Sequence, residues 1–234
     1  MQLYLIPCPM AEGALDTLSP AIPETVKHIE HYLVEDIRSA RRFLGSLKVG
    51  LDIRSLNFYV LDKKTPMSKV EEYFKAIPNR AKVGVISEAG CPGVADPGAR
   101  AVEYAHRHEI EVIPLVGPSS ILLALMASGF NGQNFAFEGY LPVKKPERIK
   151  AIKSLESQSK RFGRTQIFME TPYRNNHMLE DLVQQCQPET KLCVACDITG
   201  EGQYIRTMTI NQWKRAYKRI DLHKKPVMFV LFAQ

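Results

Sequence analysis

The stretch "SEAGCPGVADPG", residues 87–98, follows the apolar run "KVGVI" and packs three glycines, two prolines and two carboxylates into twelve residues. Gly90, Gly93 and Gly98 permit positive φ or close backbone approach, and Pro92 and Pro97 stiffen the turn between them. Such a loop presents backbone amides and carbonyls to a ligand, or it simply closes a tight turn. The glycine spacing is not the GxGxxG of a dinucleotide site, and no GKS or GKT follows to make a P-loop. The pattern argues against a phosphate-cradling nucleotide site.

Other reactive side chains test less well. Ser119 and Ser120 in "VGPSS" lack a GxSxG context and suit the cap of a helix. Glu170 in "METPYR" ends a strand-like run just before Pro172, which makes it either a site rim or a strand terminus; Glu138 in "FEGY" is comparable. Cys193 and Cys196 in "CVAC" have redox or zinc spacing but lie in a β-patterned run with no second pair, so they read as strand residues. Six histidines form no HExxH, and no protein-bound metal is expected. The single tryptophan, Trp213, reads as packing rather than as a base-stacking platform.

The elements that must carry these residues alternate at first. "LYLI", "VGVI" and "VIPLV" have the short apolar runs of buried strands, with "NFYVLD" a fourth candidate. "VEDIRSARRFLGSL", "MSKVEEYFKAI" and "ARAVEYAHRH" read as helices between them. This predicts an α/β fold with a mostly parallel sheet and flanking helices over residues 1–116, with ligands expected beyond the carboxyl ends of its strands. After a hinge near Gly117 and Pro118 the texture changes to "FAFEGYL", "TQIFMET", "LCVACDIT", "YIRTMTI" and "VMFVLF", with a hairpin turn at "GEGQ". Residues 117–234 are therefore expected to form an α+β domain with a mixed sheet, and the cleft between the two domains is the expected ligand site.

Five cysteines in 234 residues do not make a disulfide framework and suit a reducing compartment. No apolar stretch approaches the roughly 20 residues of a membrane helix. A start of "MQLYLIPCPM" is no signal peptide, so the chain reads as cytosolic with no membrane association. The net charge of +6 is unevenly placed, because residues 144–234 hold 17 basic and 9 acidic side chains. Residues 144–164 alone hold eight against two. Charge of this density attracts a polyanion such as RNA, or it marks a solvated helix; the sequence leaves both open.

"LYLIPCP", "VEDIRSARRFL", "SEAGCPGVADPG", "LVGPSS", "FEGYLP" and "METPYR" occur in the order and rough spacing of the tetrapyrrole methylase superfamily. Within it the chain most resembles the bacterial 16S ribosomal RNA cytidine 2′-O-methyltransferases, over residues 3 to about 199. The resemblance implies a two-domain, dimeric S-adenosylmethionine enzyme with its cofactor in the interdomain cleft. By position it assigns cofactor contacts to Pro9 and Met10, to Ala89, Gly90, Cys91 and Val94, to Ser119 and Ser120, and to Glu170 and Ile198. It also aligns Glu35, Asp36 and Arg38 with a family segment reading AEDTR, making them the candidate substrate-side cluster. As residues alone, those three equally well begin a helix whose N-terminal dipole favours acids.

Several segments depart from the family pattern. "AEGALDTLSP" replaces a glycine-asparagine pair and looks like a longer, inserted loop, and "ACDITGEGQY" stands where ARELTKxHEE is usual. In the loop at 87–98, Glu88 and Cys91 replace the Asp and Thr of SDAGTPGISDPG. Family members continue past the equivalent of "FVLFAQ" into a small C-terminal domain, which this sequence is expected to lack. The expected activity is methyl transfer to RNA. Competing readings are methylation of a tetrapyrrole or other small molecule, and a module that binds cofactor or RNA without turnover.

Overall fold

The computed structural model describes all 234 residues, and the chain divides into two compact units, Met1–Ser119 and Ser120–Gln234. Unit 1 runs β1 (Gln2–Ile6), α1 (Ala21–Val26), β2 (His31–Val34), α2 (Ile37–Ser46), β3 (Asn57–Val60), α3 (Met67–Ala76), β4 (Lys82–Ile86), α4 (Ala99–Arg107) and β5 (Glu111–Pro114). Its five strands form one sheet in the order β3-β2-β4-β1-β5, and every pairing is parallel. Parallel neighbours cannot be joined by hairpins, so crossover connections carry the helices onto the sheet faces.

Alternation along the strands feeds two cores. Ile6, Tyr32, Val34 and Ile86 meet Phe43 and Leu44 of α2 on one face. Leu3, Leu33, Val83 and Val85 meet Val70, Phe74, Ala101 and Ala105 of α3 and α4 on the other. A glycine at 84, in the middle of β4, is what lets Tyr32 lie in the first core. A Cβ there would come within 2.8 Å of both Ile6 and Tyr32 side chains. Helix α2 starts where Asp36 accepts a hydrogen bond from the Ser39 amide at 2.8 Å, so Asp36 is its N-cap.

Strand β2 is absent from the sequence reading. It is only four residues long, begins with His31 and is followed at once by Glu35 and Asp36, so its apolar run is too short to stand out. The segment 11–20, read as a longer loop, carries some structure of its own. It holds a one-turn 3-10 helix at Leu15–Thr17, and Leu15 and Leu18 pack on the core beside α2.

Unit 2 runs α5 (Ser120–Ser128), β6 (Phe135–Tyr140), α6 (Lys145–Phe162), β7 (Thr165–Met169), α7 (Asn175–Gln185), β8 (Lys191–Cys196), β9 (Tyr204–Thr209), α8 (Ile210–Ala216) and β10 (Val227–Phe232). Its sheet has the order β6-β7-β10-β8-β9; β6 and β7 pair in parallel and the other pairs are antiparallel. The fold class read from the sequence is thus the observed one, an α/β parallel sheet followed by a mixed sheet. Cys193 and Cys196 both lie on β8, three residues apart, so they point to opposite faces and are both buried. Trp213 is fully buried, and its indole N–H donates to the Leu192 carbonyl at 2.8 Å.

The β8–β9 hairpin is looser than "GEGQ" implies. The strand stops at Cys196, because Asp197 and Thr199 take φ of 49° and 69°, and the turn spans 197–203. Asp197 holds that turn by accepting from the Gly202 amide at 3.0 Å.

One buried ion pair joins α6 to α7. Arg148 reaches Asp181 through Nη2 at 2.6 Å and Nε at 2.8 Å, with both side chains under a tenth exposed. Replacing Arg148 leaves the buried Asp181 carboxylate with only the exposed Lys145, whose Nζ lies 3.4 Å away. Arg148→Met is expected to lower the unfolding free energy by about 3 kcal/mol in urea denaturation. Arg148→Met combined with Asp181→Leu is expected to recover most of that loss.

Candidate functional site

Three loops leave the carboxyl ends of the adjacent strands β4, β1 and β5, and they are laced together by hydrogen bonds within unit 1. After β1, Cys8 and Gly90 form an antiparallel bridge between loops: Cys8 N–H donates to the Gly90 carbonyl at 2.9 Å, and Gly90 N–H returns the bond at 3.1 Å. After β4, the Cys91 thiol lies 3.2 Å from the Pro118 carbonyl and 3.6 Å from that of Gly117, on the segment that follows β5. Burial, with the charge of Asp96, pushes the Cys91 thiol up, so it stays protonated and able to donate. The third loop closes on the first because residue 117 is glycine. A Cβ there would sit 2.1 Å from the Pro7 side chain.

The two acids of the 87–98 loop have separate tasks. Asp96 accepts from the Gly93 amide at 2.9 Å and from the Gly98 amide at 2.6 Å, so it staples the loop from inside. Glu88 reaches outward and accepts from the Ser39 hydroxyl of α2 at 2.5 Å. The Glu88 amide in turn donates to the Glu35 carboxylate at 3.3 Å. Two carboxylates and a serine thus tie the end of β2 and the start of α2 to the loop after β4.

Burial is the largest influence on Glu35 and pushes its carboxyl above the ordinary value. The Glu88 amide opposes that rise, the charges of Asp96 and Glu88 add to it, and Lys63 counters them. Asp36 behaves differently: the Ser39 amide it caps holds its carboxyl low. Arg38 is exposed, like Asp36. Of the three residues read as a substrate-side cluster, only Glu35 sits among the other acids of the site.

Beside this rim lies a cavity of about 500 Å³. Its walls include Met10 and Leu15 from the segment after β1, Arg42 and Phe43 from α2, and Glu88 with Ser39. Pro9 and Met10, read as cofactor residues, line it as well. Ala89, Gly90, Cys91 and Val94 lie in the adjoining loop, with Gly90 at φ 69°. Ser119 ends unit 1, and Ser120 is the first residue of α5 in unit 2.

Glu170 and Ile198 belong to unit 2, at the carboxyl ends of β7 and β8. Burial alone would raise Glu170. Hydrogen bonds from the Arg174 guanidinium at 2.6 Å and the Thr171 amide at 2.6 Å outweigh it and hold the carboxyl below its ordinary value. Its second oxygen is buried without a partner. The Ile198 side chain is buried, leaving chiefly its backbone to meet a ligand.

The sequence reading missed Ser39, Arg42 and Phe43. Their positions on α2 are legible, but the Ser39–Glu88 bond joins residues 49 apart and leaves no local signal.

Comparison with known proteins defines the class. The family model for tetrapyrrole (corrin/porphyrin) methylases matches residues 23–213, and the chain belongs to that family of S-adenosylmethionine-dependent methyltransferases. Among curated relatives, the ribosomal RNA small subunit methyltransferase I of Mesorhizobium japonicum is 31% identical over 226 residues, 97% of this chain and 73% of that one. The protein of the same name from Buchnera aphidicola of Schizaphis graminum is 30% identical over 203 residues, 87% and 67% of the two chains. That of Vibrio cholerae is 27% identical over 229 residues, 98% and 76%. In fold, the chain is similar to the methyltransferase CobJ, with a TM-score of 0.62 at 16% identity over 100% of this chain and 99% of the other. It is also similar to a precorrin-6Y methylase of cobalamin biosynthesis from Archaeoglobus fulgidus, with a TM-score of 0.58 at 17% identity over 99% and 97%.

S-adenosylmethionine is a nucleoside with a cationic sulfur and no phosphate, and the loops fit it. None of residues 7–10, 87–98 and 115–119 is Lys or Arg, two are acids, and Val94 and Val116 offer exposed apolar surface. Backbone groups around Gly90 and apolar walls suit such a ligand better than an anion hole would.

Gly90→Ala tests the rim. An alanine would have to hold a left-handed conformation at roughly 1–2 kcal/mol, with its Cβ 3.3 Å from the Pro118 carbonyl. The expected outcome is a lower melting temperature and an affinity for S-adenosylmethionine reduced about tenfold in calorimetric titration. Unchanged affinity would place the cofactor away from this loop.

Proposed function

We propose that the protein transfers a methyl group from S-adenosylmethionine to a ribose hydroxyl of RNA, with ribosomal RNA of the small subunit as substrate. The observation that carries this reading is the set of relatives named for small-subunit ribosomal RNA methylation, matched over nearly the whole chain. The basic excess of unit 2 favours RNA over a small molecule. Such a substrate places the enzyme in the cytosol, and no helix is long and apolar enough to cross a membrane. Exposed Leu122 and Met126 on α5 and Phe135 on the edge strand β6 support a homodimer.

The cofactor supplies a methyl carbon bound to positively charged sulfur, and its transfer to oxygen breaks that bond and leaves a neutral thioether. The loops around Pro9, Met10, Ala89, Gly90, Cys91, Val94 and Ser119, with Ser120, Glu170 and Ile198 of unit 2, are proposed to hold it. The cavity beside them would receive the target nucleotide, its size lying within the range of small-ligand pockets. A ribose hydroxyl is a weak nucleophile, so loss of its proton must accompany attack. Glu35 would accept that proton. Its raised carboxyl is a better base than an ordinary one, and the Glu88 amide fixes one of its oxygens. Alignment supplies the rest of the rate.

Labelled cofactor incubated with unmethylated small ribosomal subunits and, separately, with a tetrapyrrole precursor decides the substrate: label in the subunit RNA is expected. Label only in the precursor would overturn the RNA reading. No label in either, with tight cofactor binding, would leave a non-catalytic module.

Glu35→Gln is expected to lower the methylation rate about a hundredfold or more while leaving cofactor affinity unchanged. Wild-type activity should rise with pH through the raised Glu35 value and flatten above it. Stability has the opposite sign. A carboxyl raised in the folded state disfavours folding once pH exceeds its unfolded value near 4.3. The glutamine variant should therefore melt at a higher temperature at pH 7, with the advantage fading below about pH 4.

A further inference from the structure

Helix α6 is 18 residues long, and its buried face is Arg148, Ile152, Leu155 and Ser159. At 100° per residue the opposite face carries Lys150, Lys153, Ser157, Lys160 and Arg161, all exposed. No acid interrupts that face, since Glu147 lies in the first turn and Glu156 is turned aside to the Gln187 amide and the Thr190 hydroxyl. Basic residues in a last turn complement the helix dipole, which accounts for Lys160 and Arg161 but not for Lys150 and Lys153 in the middle of the helix. A rise of 1.5 Å per residue spreads the four charges over about 16 Å, a length that faces several successive phosphates.

The stripe ends on an aromatic ring. Phe162 is 52% exposed, and the guanidinium groups of Arg161 and Arg164 lie 5.1 Å and 5.7 Å from its ring centroid. The backbone there is pinned. The Phe162 carbonyl accepts from the Asn134 side chain at 2.9 Å, the Gly163 carbonyl accepts from Asn131 at 2.9 Å, and Gly163 closes the helix at φ 59°. A large apolar ring is thus held open to solvent on a rigid turn, between cations. A basic track that ends in an exposed aromatic is the combination that single-stranded nucleic acids use, phosphates on the charges and a base on the ring.

We propose that the outward face of α6, from Lys150 to Arg161, together with Phe162, binds the backbone of an unpaired RNA segment and stacks one of its bases. The inference rests on the reading of the substrate as RNA and names the surface of unit 2 that grips it. Charge complementarity favours this occupant: by the division of the chain, unit 2 carries 17 basic and 10 acidic residues, whereas unit 1 carries 14 and 15.

The test uses the full chain and a fluorescein-labelled single-stranded RNA of about twelve nucleotides, followed by anisotropy over a series of salt concentrations. The triple variant Lys150→Ala, Lys153→Ala and Lys160→Ala should bind more weakly, with the slope of log affinity against log salt reduced by about 2. Phe162→Ala should weaken binding about tenfold at unchanged slope. S-adenosylmethionine affinity should match wild type in both variants, which shows that unit 2 remains folded. If wild type binds and methylates RNA while both variants equal it in affinity and slope, the α6 surface is wrong and the methyltransferase reading stands. If Phe162→Ala instead splits an oligomer in sedimentation without changing RNA affinity, the ring belongs to a protein interface and the proposal falls. If wild type binds no RNA and methylates only a small molecule, the RNA reading fails and takes this surface with it.

Discussion

The two hydrogen bonds between Cys8 and Gly90 fix the geometry on which the site depends. Strands β1 and β4 are parallel neighbours, so their chains leave the sheet side by side and would separate into their own crossovers. The antiparallel bridge stops that by pairing the first loop with the second just beyond the strand ends. It requires Gly90 at positive φ, and it leaves Cys91 positioned to donate to the segment after β5. The third loop can then approach only because Gly117 has no side chain to meet Pro7. Each contact presupposes the one before it. Burial pushes the Cys8 thiol up to about 12, so no charge develops next to the bridge at physiological pH.

The carboxylates beyond the strand ends divide into those that draw two short hydrogen bonds and one, Glu35, that draws a single longer one. Asp96 receives amides from two glycines, and one oxygen of Glu170 receives the Arg174 and Thr171 donors. Glu35 receives one amide at 3.3 Å and has two further acids close enough to raise it. A carboxyl raised in this way lowers stability at neutral pH and persists where it serves function. The same contrast separates the two units on a larger scale. Near-neutral unit 1 holds the loop cluster and the cavity, and strongly basic unit 2 has the charge to hold a polyanion.

The fold was legible wherever side-chain period and length agreed. Strands β1, β4 and β10 have uninterrupted apolar runs, and "ARAVEYAHRH" has a helical stripe bounded by Gly98. Strand β2 escaped because a buried strand of four residues carries too little pattern against the charges that follow it. The 11–20 segment was legible as a longer loop, but nothing local marks Leu15 and Leu18 as the residues that anchor it. In the site, glycines and prolines announced the tight loop at 87–98. They could not announce its partners, since the bonds to Cys8, Ser39 and Pro118 span 82, 49 and 27 positions or so and depend on the strand order β2-β4-β1-β5.

The departures of that loop from the family pattern acquire a physical sense in this setting. The pattern's threonine would donate a hydroxyl hydrogen bond. Cys91 donates a weaker thiol bond to Pro118 over a longer distance, and its raised titration keeps the hydrogen in place. Glu88 is longer than aspartate by one methylene, and the added reach is used on the Ser39 hydroxyl of α2. Loss of donor strength on the side facing Pro118 is thus accompanied by a tie on the opposite side, to the helix whose start carries Glu35. Gly90, Gly93 and Gly98 keep the glycine spacing of the pattern, while Glu88 ties the loop to α2. Within this loop, the departures from the family pattern therefore fall on the side chains that brace it against α2 and the segment after β5, beside the acid proposed to take the proton, and not on its glycines.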